Sequence, residues 1–257
     1  QVGVLSSTLF GGVSGSAVAD ASAIGSLLIP WHKRLGYPPA FSAATLAAAA
    51  TIDILIPPSI PMILFALTAN ASIAALFVAG ILPGLLMCGG FMFMCWWVGR
   101  RRNFPRDLTP IDWSVFRTHL MYASPALLLP VLIVVFLRFG IATPTEVAVL
   151  STLFAGLVSA VIYRDLGLKR LHHAVVEAGL ATGVVLLVIM ASAAIGWLLT
   201  FDRMPDGVVG WAQANLDSGW SVILLMNVLM LVCGMFIDLP AAVLLLTPVF
   251  VPLANAI

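Results

Sequence analysis

Gly11-Gly12-Val13-Ser14-Gly15-Ser16-Ala17-Val18-Ala19-Asp20-Ala21-Ser22-Ala23-Ile24-Gly25 and Thr51-Ile52-Asp53-Ile54-Leu55-Ile56-Pro57-Pro58-Ser59-Ile60-Pro61-Met62 interrupt sequence that is otherwise apolar enough for lipid. Both put small, hydroxylated or helix-breaking residues where a spanning helix would need regular ones. A bilayer offers no water to a broken backbone, so such breaks persist only when buried in protein or lining a polar cavity. Paired broken segments at membrane depth mark the binding sites of secondary transporters.

The surrounding chain supports a membrane setting. Hydrophobic residues make up 61% and charged residues 9%, and mean hydropathy is +1.11. A soluble domain carries about 25% charge, so this chain has too few charges to cover a water-facing surface. The net charge of +1 is uninformative. Cys88, Cys95 and Cys233 lie in apolar runs without CxxC spacing and read as small packing residues, with no disulfide framework. Gln1 stands in a membrane-like stretch with no basic leader before it, and Ile257 ends in another, so the chain reads as a fragment of a longer permease.

Residues 2–10 and 18–29 are each too short for the roughly 20 residues of a spanning helix. The glycines and serines of 11–16 disfavour helix between them, and Pro30 ends the second arm. The pair reads as a re-entrant hairpin, with His32, Lys33 and Arg34 at the membrane edge in a segment 31–39. Residues 41–68 are long enough to span, but Pro57-Pro58 and Pro61 break them and free the carbonyls around 53–56. Residues 73–98 read as an uninterrupted span with a kink at Pro83-Gly84. A loop at 99–112 carries Arg100, Arg101, Arg102 and Arg106, and 113–120 reads as a short amphipathic connector. Residues 121–137 span. Thr143-Pro144-Thr145-Glu146 then opens the next span as a capping box, which makes Glu146 a cap rather than a ligand. A second basic loop follows at 164–173, a span over 174–200, and a polar stretch at 201–218 with Asp202, Asp206 and Asp217. Residues 220–236 and 241–253, divided at Asp238-Leu239-Pro240, form a second short-armed hairpin.

Orientation follows if each hairpin returns to its own side and each unbroken run crosses once. Every Lys and Arg except Arg138 and Arg203 then falls on one face, which the positive-inside rule makes cytoplasmic. His32, His119, His172 and His173 sit at that edge, and Trp96 and Trp97 read as interfacial anchors. The first hairpin opens from the cytoplasm and the second from outside. Residues 16–30 and 238–252 overlay without a gap, Ser16 opposite Asp238, as expected of inverted repeats. The resulting fold class is all-α integral membrane. Residues 1–98 form a first repeat, 99–120 a basic loop and connector, and 121–257 a second repeat truncated before its broken helix.

At these residues the chain resembles the large membrane subunit of the tripartite ATP-independent periplasmic (TRAP) transporters. The likeness rests on Gly12-Val13-Ser14-Gly15-Ser16-Ala17-Val18-Ala19-Asp20, on Ala23-Ile24-Gly25, and on Ile56-Pro57-Pro58-Ser59-Ile60-Pro61-Met62. Gly80-Ile81-Leu82-Pro83-Gly84, Thr143-Pro144-Thr145-Glu146-Val147-Ala148, and Asp238 with Thr247-Pro248 add to it. The resemblance implies an elevator-type transporter of the bacterial inner membrane with scaffold and transport domains. It further implies coupling to Na+, a small membrane subunit, a periplasmic substrate-binding protein, and organic-acid substrates such as C4-dicarboxylates or sialic acid. Such transporters also have a second broken helix after the second hairpin. This chain ends before it, so half of a second ion site is expected to be missing.

Sodium takes oxygen ligands, which unwound carbonyls supply in transporters while half-helix N-termini face anionic substrate. Ser14, Ser16 and Asp20 with carbonyls over Asp53, Ile56 and Pro57 suit one ion. Asp20 lies one turn past Ser16, so both can face one cavity. Asp53 can serve the ion or the freed backbone N–H groups, and Ser59 can touch substrate or cap the half-helix after Pro58. Ser14, Pro58 and Ser59 are the substrate candidates, and Asp238 and Thr247 the ion candidates of the second hairpin. The competing interpretation of 11–16 is close helix packing by small residues.

Two other functions fit parts of the pattern. Gly12-Val13-Ser14-Gly15 matches the GxSG of an intramembrane serine protease, but that chemistry needs a histidine beside Ser14, and no histidine lies at mid-membrane depth. A single-component sodium/dicarboxylate symporter would need no binding protein. No GxxxxGK[ST] phosphate loop occurs, which leaves an ATP-driven pump unsupported.

Overall fold

A computed structural model describes residues 1–105, 112–216 and 218–255. Arg106 and Asp217, placed above in a basic loop and a polar stretch, lie outside the described residues. All regular structure among the described residues is helical. It comprises α1 (Val2–Ser14), α2 (Ala17–Arg34), α3 (Pro39–Ala50), α4 (Ile60–Ala69), α5 (Ile73–Arg101) and α6 (Trp113–Arg138). After these come α7 (Pro144–Leu157), α8 (Leu168–Phe201), α9 (Met204–Asn215), α10 (Gly219–Gly234) and α11 (Leu239–Asn255). A 3-10 turn over Thr51–Ile54 follows α3, and a π turn over Val158–Ile162 extends α7.

Among the described residues, Ile73–Arg101, Trp113–Arg138, Pro144–Ile162 and Leu168–Phe201 are long and apolar enough to cross a membrane. Their surfaces are as apolar as their contacts. Leu187 is 69% and Met190 73% exposed along α8, which suits lipid or protein neighbours but not water. This is a multi-pass membrane protein.

The chain divides into two compact units. One comprises Gln1–Met62 with Ile73–Leu166, the other Ile63–Ser72 with Gly167–Ile257. In the first, α1 and α2 pair as a helical hairpin against α3 and the 3-10 turn, and α5 and α6 pack on α1. Val4, Ala49, Ile52 and Cys88 form its apolar centre. In the second, α11 packs on α8, α9 and α10, with Ala212, Val222 and Leu253 at the centre.

The proline break is where the sequence puts it. Helix α3 tightens to the 3-10 turn at Thr51, and regular structure resumes only at Ile60. The capping box is also present: Thr143 Oγ1 accepts from the Glu146 N–H, and Glu146 Oε2 accepts from the Thr143 N–H at 2.7 Å. Arg100 stacks over Trp96 at 4.7 Å and Arg101 over Trp97 at 4.9 Å, an arrangement that suits interfacial anchors. The three cysteines are free thiols.

Several boundaries differ from the expectation. Helix α1 runs through Gly11, Gly12 and Val13, and only Gly15 and Ser16 leave the helix. Gly11 and Gly12 are buried against neighbouring elements, and that contact offsets the roughly 1 kcal/mol that each glycine costs a helix. Helix α2 continues through Pro30 to Arg34, giving up the one bond that a Pro30 N–H would make, while the Leu35 N–H still reaches the Trp31 carbonyl at 3.1 Å. The expected connector at 113–120 is the first part of α6, since Asp112 caps Ser114 and Val115 and nothing breaks the helix at Leu120-Met121. Lys169, Arg170, His172 and His173 belong to α8 instead of a loop, with His173 paired to Glu177 one turn on. The polar stretch after Phe201 folds as α9, whose apolar side meets Val222 and Leu253.

Gly15 closes α1 in the left-handed region at φ 62°, with its N–H on the Gly11 carbonyl at 3.0 Å. A Cβ there would lie 2.5 Å from the Pro58 carbonyl oxygen. Gly15→Ala therefore meets both backbone strain and a clash. The substitution should cost about 1–3 kcal/mol, read as a lower thermal midpoint in detergent. An unchanged midpoint would show that the hairpin tip does not rest on the proline break.

Candidate functional site

The candidate site of the first unit has two levels, the hairpin tip and a buried polar cluster one turn beyond it. At the tip, every hydroxyl serves the local backbone. Ser14 Oγ donates to the Ser16 carbonyl at 3.3 Å and accepts from the Ser16 N–H at 3.2 Å. Ser16 is the N-cap of α2, its Oγ accepting from the Ala19 N–H at 3.4 Å. Across the contact at Gly15, Ser59 is fully buried. Its Oγ donates to the Ile54 carbonyl at 2.6 Å and accepts from the Met62 N–H at 3.4 Å. One hydroxyl thus pairs a carbonyl freed by the break and caps the helix that follows it.

The approach of Gly15 to Pro58 has an electrostatic result. Helix α2 starts two residues after Gly15 and α4 two residues after Pro58. The N-termini of α2 and α4, each a positive dipole end, therefore lie beside one contact, with the Ala19 N–H taken by Ser16 and the Met62 N–H by Ser59.

Behind the tip, Asp20 and Asp53 are both fully buried. Asp20 leaves the first turn of α2 and Asp53 sits in the 3-10 turn, and their carboxyl groups lie within reach of each other. Ser7 of α1, also fully buried, donates its hydroxyl to Asp20 Oδ2. No other described side chain is bonded to the cluster. Asp20 Oδ1 and both carboxyl oxygens of Asp53 have no hydrogen-bond partner. Gly11 makes the room, since a Cβ at that position would overlap the Asp53 carboxyl and approach its Cα to 2.9 Å.

Two carboxyl groups with open oxygens in a dry interior are costly unless a positive charge or a proton joins them. A sodium ion accepts such donors: the set is all oxygen, at least one carboxylate is needed for charge, and three oxygens are unused.

The structure brings Asp20 together with Asp53, but Ser14 and Ser16 turn to the backbone of the tip. Ile56 and Pro57 lie in the irregular segment between the 3-10 turn and α4. In the second unit Asp238 is exposed just before α11, its carbonyl accepting from the Ala242 N–H at 2.9 Å. Thr247 is buried, and its hydroxyl donates to the Val243 carbonyl of its own helix. Among the described residues no histidine is hydrogen-bonded to Ser14. Ser7 was not anticipated. Its signal is a hydroxyl run, Ser6-Ser7-Thr8, inside an apolar arm, with Ser7 one turn before Gly11 on the buried face of α1. A separate cavity of about 490 Å³, lined by Trp31, His32, Tyr37, Phe41, Trp96 and Arg100 among others, contains none of the candidate residues. The carboxyl cluster is a packed contact instead of an open pocket.

Comparison with known proteins gives a consistent result. The model of the family described as "Tripartite ATP-independent periplasmic transporter, DctM component" matches residues 1–257. The chain is 58% identical over 254 residues to an uncharacterised protein of Sinorhizobium fredii, covering 99% of this chain and 61% of the relative. It is 36% identical over 254 residues to the 2,3-diketo-L-gulonate TRAP transporter large permease protein of Escherichia coli, covering 99% and 60%. It is 35% identical over 257 residues to the sialic acid TRAP transporter large permease protein of Vibrio cholerae, covering 100% and 60%. The chain thus spans about three fifths of the length of these relatives.

The Gly11 clearance predicts an asymmetry between glycines. Gly11→Ala should destabilise the permease by about 1–3 kcal/mol through overpacking, with Asp53→Ala recovering part of the loss in a double-mutant cycle. Gly90→Ala in α5, where a Cβ meets nothing within 4 Å, should be neutral or slightly stabilising. Thermal midpoints of Gly11→Ala, Asp53→Ala, their double variant and Gly90→Ala test this, and equal effects at Gly11 and Gly90 would remove the packing argument.

Proposed function

This chain belongs to the DctM component family of the tripartite ATP-independent periplasmic transporters, and we propose that it forms the core of a sodium-coupled importer of organic acids in the bacterial inner membrane. The observation that carries this reading is the contact of Gly15 with Pro58, which sets the N-termini of α2 and α4 beside one point. Helix N-termini bind anions through free N–H groups and the dipole, and a carboxylate substrate is such an anion. Two relatives are named for 2,3-diketo-L-gulonate and sialic acid, both organic acids. The same chemistry would serve a C4-dicarboxylate. Ser14, Pro58 and Ser59 border that point and are the proposed substrate contacts.

The proposed coupling ion is sodium, carried as a second cargo by Asp20 and Asp53, whose open oxygens fit a hard cation. Carbonyls of Ile56 and Pro57, with Ser14 and Ser16 at the tip, would complete its surroundings after local rearrangement. Asp238 and Thr247 are proposed for a second ion, with the rest of its ligands outside this chain. The pairs α1–α2 and α10–α11 are taken as re-entrant hairpins of inverted repeats in an elevator-type transporter. Substrate is delivered by a periplasmic binding protein, and a small membrane subunit accompanies the permease. A serine-protease reading has no support in the site, since Ser14 is bonded to backbone.

The test uses the complete permease with its small subunit in proteoliposomes. Organic-acid uptake is recorded with and without a sodium gradient, with binding protein added or omitted. Uptake that requires both is expected, and Asp20→Asn or Asp53→Asn should lower it by more than about tenfold at fixed sodium, the scale of one lost charged contact. Uptake with sodium alone would place the chain among single-component symporters, and indifference to sodium would overturn the ion assignment.

A further inference from the structure

We infer that Ser7 is a positioning residue of the cation site: its hydroxyl holds one oxygen of Asp20 so that the other stays directed at Asp53. The inference rests on the proposal that Asp20 and Asp53 carry sodium, and it adds a third helix, α1, to the residues that set cation affinity.

Three observations carry it. Ser7 is fully buried in α1, yet its hydroxyl is not returned to a carbonyl of its own helix. Thr8, its neighbour, shows the ordinary alternative, donating to the Val4 carbonyl one turn back at 2.9 Å. Ser7 instead donates across the hairpin to Asp20 Oδ2, leaving Oδ1 and both Asp53 oxygens as the only unpartnered buried side-chain oxygens among the described residues. A hydroxyl has a single proton to give. With it committed to Oδ2, the rotation of the Asp20 carboxyl is fixed, and Ser7 Oγ keeps lone pairs facing the same cluster.

The chemistry follows from that arrangement. A carboxylate free to rotate must be ordered when a cation binds, and ordering costs affinity. A carboxylate already held by a charge-assisted hydrogen bond avoids that cost. Loss of the hydroxyl should therefore weaken cation binding without removing any charge, which separates Ser7 from Asp20 and Asp53. It should raise the sodium concentration for half-maximal uptake while leaving the rate at saturating sodium close to that of the parent protein. At saturating sodium, organic-acid half-saturation should not move, because the substrate point at Gly15 and Pro58 lies at the tip, one turn away along α2.

The test measures uptake by the complete permease with its small subunit and binding protein, across a sodium series and separately across an organic-acid series. Ser7→Ala, Ser7→Cys and Ser7→Thr are compared with the parent. Ser7→Ala and Ser7→Cys should raise sodium half-saturation by about tenfold, the scale of a hydrogen bond to a charged group. Ser7→Thr, which keeps the hydroxyl, should stay within about threefold of the parent. Thermal midpoints in choline chloride report folding, and if Ser7→Ala is not recovered folded, Ser7→Cys gives the same reading at nearly constant volume. Sodium half-saturation unchanged in both hydroxyl-less variants overturns the inference. A fall in maximal rate with unchanged sodium half-saturation overturns it too, since that is the pattern of a purely structural residue. Parent uptake that ignores sodium instead fails the underlying cation reading, and the two failures are told apart by the parent alone.

Discussion

Two carboxyl groups, closed off from solvent and with a single hydroxyl bonded to one of them, set the terms for the first unit. Burying an ionised carboxylate costs several kcal/mol even after the protein relaxes, and among the described residues no arginine or lysine is bonded to either group. The surrounding elements nevertheless close tightly on them. Helix α1 passes over Asp53 with a glycine, the 3-10 turn sets Asp53 opposite Asp20, and Ile52 beside it is fully buried in the apolar centre. A fold governed only by stability would place apolar groups at these positions. Buried ionisable groups with no charged partner are candidates for function in a membrane protein, and the proposed cation binding starts from that.

The neighbouring hydroxyls behave in the opposite way. Ser14, Ser16 and Ser59 each bond to backbone within five residues. They stabilise the shape of the tip and of the proline break, where peptide groups have lost their helical partners. The polar residues thus fall into two groups by how fully they are satisfied. The serines at the breaks are spent on the backbone, and the carboxyls are left open. Ser7 belongs with the second group, because it turns away from its own helix.

Much of this order was legible in the sequence. Pro57-Pro58 had to break its helix, Thr143 and Glu146 had to cap theirs, and the long apolar runs had to be lipid-compatible helices, because these outcomes depend on local chemistry. What was not legible depended on tertiary contact. Gly11 and Gly12 argue against helix by propensity, yet α1 contains both because Asp53 and Pro130 fill the space their missing side chains leave. Asp20 could be placed one turn from Ser16, but the direction of its carboxyl, away from the tip and toward Ser7, follows from hairpin packing. Ser7 itself looked like one hydroxyl among several in an apolar arm. The helix α9 was hidden in a polar stretch whose few apolar residues gain their meaning only against Val222 and Leu253.

The glycines of the sequence motifs show how an irregular segment survives in such a setting. Lipid would leave the peptide groups of 55–59 unsatisfied, so neighbouring helices must come close enough to seal them. Gly80 and Gly84, one turn apart on α5, do this from one side. A Cβ at Gly80 would lie 2.5 Å from the Leu55 carbonyl oxygen, and one at Gly84 would lie 2.7 Å from Ile56 Cδ1. A Cβ at Gly12 would lie 3.1 Å from Pro130 Cγ of α6 and 3.6 Å from the same Ile56 side chain. Gly15 receives the Pro58 carbonyl. The motif glycines therefore act by absence, each removing a side chain where a helix meets the break. Small-residue packing and the proposed ion binding, set against each other when the sequence is read alone, are compatible in one arrangement. Close packing shields the broken segment, and a shielded setting would strengthen the attraction of the carboxyls for a cation.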